Sequence, residues 1–179
     1  FRDDSLPFLN VQLPMWIAAG DEDKHDWARL RLAQARAASA LQPGGLAILL
    51  DCGEFDNIHP TDKRTPGERL CDVALRVVYG MDAPESPRAL GKYTQGDTLV
   101  VTLSAPVLRR ETGELLLEIA GEDGAYHPVQ SVTLDGTEMR LRSVAVLHPT
   151  KVRYAYVNWG KVALFGRNGL PLAPFALEG

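Results

Sequence analysis

Apolar residues first gather at Phe8, Leu9, Val11 and Leu13. This predicts a short strand, closed by Pro14, which lacks the amide a strand interior needs. They then recur at three and four residues, at Trp27, Leu30, Ala33, Ala37 and Leu41. That spacing predicts a single apolar stripe on a helix over roughly 24–41. Asp21-Glu22-Asp23 supplies an acidic start with Asp23 as N-cap, and Pro43-Gly44-Gly45 a stop. Leu46-Ala47-Ile48-Leu49-Leu50 has no polar alternation, as in a strand covered on both faces of a parallel sheet. After a loop from Asp51 to Arg64, Thr65 reads as a cap, Pro66 as the first helical position and Glu68 as the end of a capping box. Leu70, Val73, Ala74 and Val77 form the stripe of that helix, and Gly80 ends it. Strand, helix, strand, loop, helix implies a parallel α/β layer. Two strands are too few for a doubly wound sheet, so further strands are expected upstream or in another chain.

The pattern changes after Met81-Asp82-Ala83-Pro84-Glu85-Ser86-Pro87. Residues 1–82 read as the α/β part, 83–91 as a linker, and 92–179 as short strands between Gly, Asp and Pro. Strands are expected at 98–103, 115–119, 129–134, 138–144 and 151–157. Asp135-Gly136 is a tight hairpin turn between the third and fourth. Strands at this spacing predict a small antiparallel β-sandwich.

Composition narrows the classes without choosing a function. The 179 residues are 45% hydrophobic and 23% charged, as in a globular protein. A net charge of −4 argues against non-specific nucleic-acid binding, and no apolar run reaches bilayer length. Phe1-Arg2-Asp3-Asp4-Ser5 resembles neither a signal peptide nor a natural start, so a longer polypeptide cut or split upstream is expected. Cys52 and Cys71 match no zinc spacing and read as small buried thiols.

The densest ionisable cluster at a predicted strand end is the loop Asp51-Cys52-Gly53-Glu54-Phe55-Asp56-Asn57-Ile58-His59-Pro60-Thr61-Asp62-Lys63. Open α/β sheets bind ligands outside the carboxyl ends of their strands. Asp56 and His59 suit the acid–base end of a serine hydrolase. A serine hydroxyl needs an adjacent base, and a neutral imidazole, with an ordinary pKa of about 6.5, serves. A carboxylate on the other ring nitrogen fixes the tautomer and stabilises the imidazolium. Pro60 biases His59 away from helical dihedrals. The plainer alternative is a solvated loop whose aspartates cap backbone amides, and the pair alone does not decide. A metal set of Asp51, Asp56, His59 and Asp62 lacks a supporting second His or Cys cluster. Glu54 and Asp62 read as solvated loop charges, with tuning of the base as the lesser role. His25, His127 and His148 read as surface or structural, and Trp27 as core. Trp16 and Trp159 fall in loops, where packing at the core edge outweighs stacking on a sugar.

Asp51-x-Gly53, then Asp56-Asn57-Ile58-His59-Pro60-x-Asp62-Lys63 and Gly67-x-Arg69-Leu70, resemble the last conserved block of sialate O-acetylesterases, members of the SGNH hydrolase superfamily. Trp27-Ala28-Arg29-Leu30-Arg31-Leu32-Ala33-Gln34 is similar to the family's Trp…Leu-Arg…Gln helix. Glu118 to Gly124, Val152-Arg153-Tyr154-Ala155-Tyr156 and Gly169-Leu170-Pro171-x-x-Pro174-Phe175 resemble its later motifs in the same order. Tyr156 stands where the family has Trp, and Asn158-Trp159-Gly160-Lys161 replaces a Pro-containing loop.

The resemblance implies an α/β fold: the C-terminal portion of an SGNH (flavodoxin-like) three-layer domain, followed by the small β-sandwich. It implies an O-acetylated sugar as substrate, His59 as general base, Asp56 as its orienting acid, and neither cofactor nor metal. The nucleophile is the departure. Ser5, Ser39, Ser86, Ser104, Ser131 and Ser143 are present, and none follows Gly-x. The serine is therefore expected from an N-terminal half of the same precursor or from a companion chain, with the 179 residues inactive alone. The resemblance implies an extracellular or periplasmic location, or a lysosomal one in a eukaryote, without nucleic-acid or membrane partners. An acetylxylan-type esterase and a non-catalytic carbohydrate-binding or assembly module are the alternatives.

Overall fold

The computed structural model describes residues 5–178; Phe1 to Asp4, noted above, and Gly179 lie outside the described residues. The chain is mixed α/β, with few helices and mostly antiparallel sheets. It divides into two units. One holds the residues through Glu85 together with Val157–Trp159, and the other holds Ser86–Tyr156 and Gly160–Gly179. No helix among the described residues is long and apolar enough to cross a membrane.

The first unit runs β1 (Phe8–Val11), α1 (Asp26–Ala40), β2 (Gly44–Ala47) and α2 (Arg64–Val77). β1 and β2 pair in parallel, Phe8 opposite Gly44 and Val11 opposite Ala47, with α1 as the crossover that parallel pairing requires. Beyond β2 the apolar run continues as buried Ile48, Leu49 and Leu50. Side chains finish the carboxyl ends of both strands. The N–H of Gln12 faces β2 and donates to the Ala47 carbonyl at 2.9 Å, so Val11 and Leu13 face the other way. There Gln34 of α1 accepts from the Leu13 N–H at 2.9 Å and donates to the Val11 carbonyl at 3.1 Å. Its carboxamide substitutes for a neighbouring strand. Arg69 of α2 donates to the Ile48 carbonyl at 2.7 Å.

Both helix starts differ from expectation. α1 begins at Asp26, and its N-cap His25 is left-handed (φ 60°) with no side-chain capping bond. Asp23 does not cap the helix. Its carboxylate accepts the N–H of His25 at 2.8 Å and that of Asn158 at 2.7 Å. The inward stripe also differs, consisting of Ala28, Arg31 and Ala38, while Leu30 and Leu41 are exposed. Arg31 is fully buried and donates to the carbonyls of Pro14 (3.4 Å) and Val157. Hydrogen bonding and small size, rather than apolarity, select this face. At α2 the N-cap is Lys63, not Thr65, and it makes no side-chain capping bond. The carboxylate of Asp62, just before it, does the work of a cap: Oδ1 accepts from the N–H groups of Arg64 and Thr65, each at 3.0 Å. Glu68 pairs with Arg64 at 2.6 Å instead of closing a capping box. Val73 is buried and Leu70, Ala74 and Val77 half-buried.

The second unit contains β3 (Ala89–Gln95), β4 (Thr98–Leu103), β5 (Val107–Arg109), β6 (Leu117–Ala120), β7 (His127–Pro128), β8 (Ser131–Asp135), β9 (Glu138–Arg142), β10 (Lys151–Tyr154), β11 (Leu164–Gly166) and β12 (Phe175–Leu177). Two four-stranded antiparallel sheets run β3-β4-β9-β8 and β12-β10-β6-β7, and β5 pairs with β11. Gly136, at φ 55°, makes the β8–β9 turn as the Asp-Gly pair predicts. β3 begins at Ala89, within the segment read as linker, and turns into β4 at Gly96, φ 64°. The core includes Leu99, Val101, Met139 and Leu141 from one sheet and Ile119, Val152 and Tyr154 from the other, all without exposure.

Candidate active site

The loop after Leu50 is anchored at its root from two sides. The Asp51 carboxylate takes two hydrogen bonds from the Arg69 guanidinium, at 2.6 and 2.8 Å. This two-pronged geometry ties the loop to α2. At Gly53 an added Cβ would lie 1.9 Å from the Met15 carbonyl oxygen. The backbone leaving β2 therefore touches the backbone leaving β1, a close approach that requires glycine.

Further out, Glu54 braces the loop from within. Its Oε1 accepts from the Thr61 N–H (2.7 Å) and hydroxyl (2.6 Å), and its Oε2 from the Asn57 side-chain amide at 2.6 Å. Asn57 Oδ1 then accepts the backbone N–H of His59 at 3.0 Å. The hydroxyl of Thr61, followed by its amide and Asn57, holds the Glu54 carboxyl below its usual pKa. Hydrogen bonds from Thr65 do the same for Asp62. Neither acid is merely a solvated loop charge: one staples the loop and the other caps α2.

Asp56 and His59 sit inside this brace, both exposed. Asp56 is left-handed, with φ 56°, a strained region for a residue with a side chain. Its N–H donates to the Ile17 carbonyl at 3.0 Å, and its Oδ1 accepts from the Ala19 N–H at 2.8 Å. The segment leaving β1 thus fixes Asp56, while Asn57 fixes the backbone of His59. No hydrogen bond joins the Asp56 carboxylate to the His59 ring, and Asp56 Oδ2 has no protein partner among the described residues. The fold brings the two onto one turn of loop without pairing them.

Of the other singled-out groups, His25 lies 3.3 Å from Asp23, His127 is half-buried in β7 and His148 is exposed. Lys63 is exposed at the start of α2. Both cysteines are free, Cys52 half-buried and Cys71 exposed. This corrects the expectation of two buried thiols, since Cys71 lies on the outer face of α2. Burial, reinforced by Asp51, pushes the Cys52 thiol up to about 12, which leaves it no role as a neutral-pH nucleophile. No group of three or more His, Cys, Asp or Glu among the described residues is arranged to hold a metal ion.

Beside the Asp56 loop, Trp16 and Trp27 pack at 5.1 Å between ring centroids, and Phe55 meets Trp159 edge-on at 5.7 Å. Trp27 donates its indole N–H to the Pro14 carbonyl at 2.6 Å and receives the Asn158 side-chain oxygen on its backbone N–H at 2.9 Å. Two organising residues escaped the sequence reading. Arg31 falls outside the apolar stripe that the spacing predicts, and nothing in that spacing marks it as buried. Burial lowers its pKa to about 10, partly offset by Asp23, so it stays charged at neutral pH. Asn158 is 131 residues from Trp27, and no local pattern announces such a contact.

No protein-family model matches the chain, and no curated protein matches it. Among solved structures it is similar to the crystal structure of a novel carbohydrate acetylesterase from Xanthomonas citri, with 34% sequence identity and a TM-score of 0.88. The match covers 98% of this chain and 42% of that one, so the chain spans less than half the length of the protein it resembles.

Proposed function

We propose that this chain is the acid–base portion of a carbohydrate O-acetylesterase of the sialate O-acetylesterase kind, within the SGNH superfamily. The observation that carries the reading is the 34% identity to a carbohydrate acetylesterase over 98% of the chain. The position of Asp56 and His59 after a buried parallel strand supports it. In this mechanism a serine hydroxyl from a segment outside the 179 residues attacks the acetyl carbonyl while His59 takes its proton. The tetrahedral intermediate collapses, and His59 returns that proton to the departing sugar oxygen. Water, deprotonated by His59, then attacks the acetyl-serine ester, and His59 returns the proton to the serine oxygen as the ester bond breaks and acetate leaves. Asp56, with Oδ1 held by Ala19, offers Oδ2 to the imidazole N–H. That bond is not made in this structure, and the mechanism requires it. By the same reading the protein is exported or lysosomal.

The test is hydrolysis of an acetylated sugar by a polypeptide extended upstream through a Gly-x-Ser block, or by this chain with its companion. His59→Ala is expected to lower kcat by at least about 10³-fold, and the 179 residues alone to be inactive. Normal turnover by His59→Ala overturns the assignment. The unpaired state of Asp56 and His59 favours one second reading, a non-catalytic carbohydrate-binding module. Sugar binding without hydrolysis in every assembly would establish it.

A further inference from the structure

We infer that the recess walled by Trp16, Ile17 and Trp27 is a glycan subsite selective for uncharged sugars. It follows, on the esterase reading above, that the substrate is a neutral O-acetylated glycan rather than a sialate. The recess has a volume of about 310 Å³ and lies within the α/β unit. That is the lower end of ligand-pocket sizes and accommodates a monosaccharide or a little more. Two indoles and Ile17 offer an apolar wall to the C–H face of a pyranose, while the Asn158 amide and rim carboxylates supply hydrogen-bonding groups for hydroxyls.

The rim decides the charge of the guest. Asp21, Glu22 and Asp26 line it together with one ammonium, Lys24. Asp26 also pairs with Arg29, and the remaining groups still leave the rim negative. A sugar that carries its own carboxylate is repelled there, whereas a neutral one is not. The recess is also joined to the acid–base loop. Ile17 on its wall takes the Asp56 N–H, and Ala19, two residues on, holds the Asp56 carboxylate. A sugar seated against Trp16 and Ile17 therefore bears on the segment that positions Asp56.

The experiment uses the polypeptide extended through the serine block and titrates it by calorimetry and tryptophan fluorescence. The probes are xylotetraose and the methyl glycoside of N-acetylneuraminic acid, at low and physiological salt. Xylotetraose is expected to perturb the tryptophan emission and to bind at least about tenfold tighter than the sialoside. The double variant Asp21→Asn, Glu22→Gln should reduce that preference about fivefold at low salt and less at high salt. Both positions are exposed, so this variant does not depend on the packing of Trp27. Trp27→Phe, which keeps a ring but loses the bond to Pro14, should weaken xylotetraose binding about tenfold. Equal or tighter binding of the sialoside, or a preference unmoved by the double variant, overturns the inference. Hydrolysis measured in parallel separates the two readings. Turnover of acetylated sugars with no neutral preference sinks the subsite alone. Selective binding without turnover sinks the esterase and leaves the subsite standing.

Discussion

The β-rich unit and the α/β unit are held together by different means. In the β-rich unit, Leu99, Val100, Val101, Ile119, Met139, Leu141, Val152, Leu164 and Leu172 are wholly withdrawn from solvent, and strand ladders satisfy the backbone around them. In the α/β unit the wholly buried side chains include Gln12 and Arg31. Irregular backbone there is tied by Gln34, Arg31, Trp27, Arg69, Glu54 and Asp62, each bonded to a main-chain group. A ladder supplies its own partners. A strand end does not, and every amide it leaves unpaired needs a side chain. The segments that demand such side chains are the ones free to carry chemistry, so the polar ties and the candidate site coincide.

The largest expected contrast is chemical. At pH 8 a thiol with a pKa of about 12 is roughly 10⁻⁴ ionised. Iodoacetamide should therefore modify exposed Cys71 at least about 10³-fold faster than Cys52, read by mass spectrometry. Similar rates would mean that the loop root is open and that the Asp51–Arg69 tie does not hold it.

Core substitutions come next. Ile119→Ala should cost about 3–4 kcal/mol in chemical denaturation, through lost burial and a cavity. Arg31→Met should cost a comparable ~2–4 kcal/mol, because it takes a buried donor from the Pro14 and Val157 carbonyls and removes the charge that faces Asp23. Hydrogen exchange is expected to assign the first loss to β6 and β10, and the second to Met15–Trp16 and the Val157–Trp159 segment. A neutral Arg31→Met would break the comparison, since the polar tie would then be ornamental.

Acid should act on one unit first. Glu54 and Asp62 both have folded pKa values below their ordinary ones. Their contribution is therefore complete above the unfolded values, about 4.3 and 3.9, and is lost as pH falls through the lower folded values. Between pH 5 and about pH 2, amide exchange at Thr61, Arg64 and Thr65 should accelerate before exchange in β4 and β9 does. Synchronous loss would show that the brace adds nothing. The smallest effect is expected at Gly136. An added Cβ there meets nothing within 4 Å, so Gly136→Ala costs only its left-handed backbone, about 1 kcal/mol.

Regular elements were the legible part of the sequence. Asp135-Gly136 announced its hairpin, because turn chemistry acts locally, whereas Leu46 to Leu50 announced burial but not the strand's bounds, which are Gly44–Ala47. β3 was hidden: Gly91, Lys92, Thr94 and Gln95 interrupt any apolar alternation, and the strand draws its burial from β4. The stripe of α1 was misread by one position because Arg31, though charged, is its inward anchor. The loop that carries Asp56 and His59 was legible as a cluster of ionisable residues. Its brace was not, since the bonds from Glu54 to Thr61 and from Ala19 to Asp56 depend on how two loops cross.

The left-handed bend at Asp56 complicates any attempt to read that position by alanine scanning. Alanine would remove the carboxylate and at the same time resist the dihedral, so the loop would deform whether or not the charge mattered. Asparagine tolerates the bend and keeps an oxygen for Ala19, which makes it the replacement that isolates the electrostatic contribution. Glycine, which adopts the same backbone but offers no side chain, is its natural control.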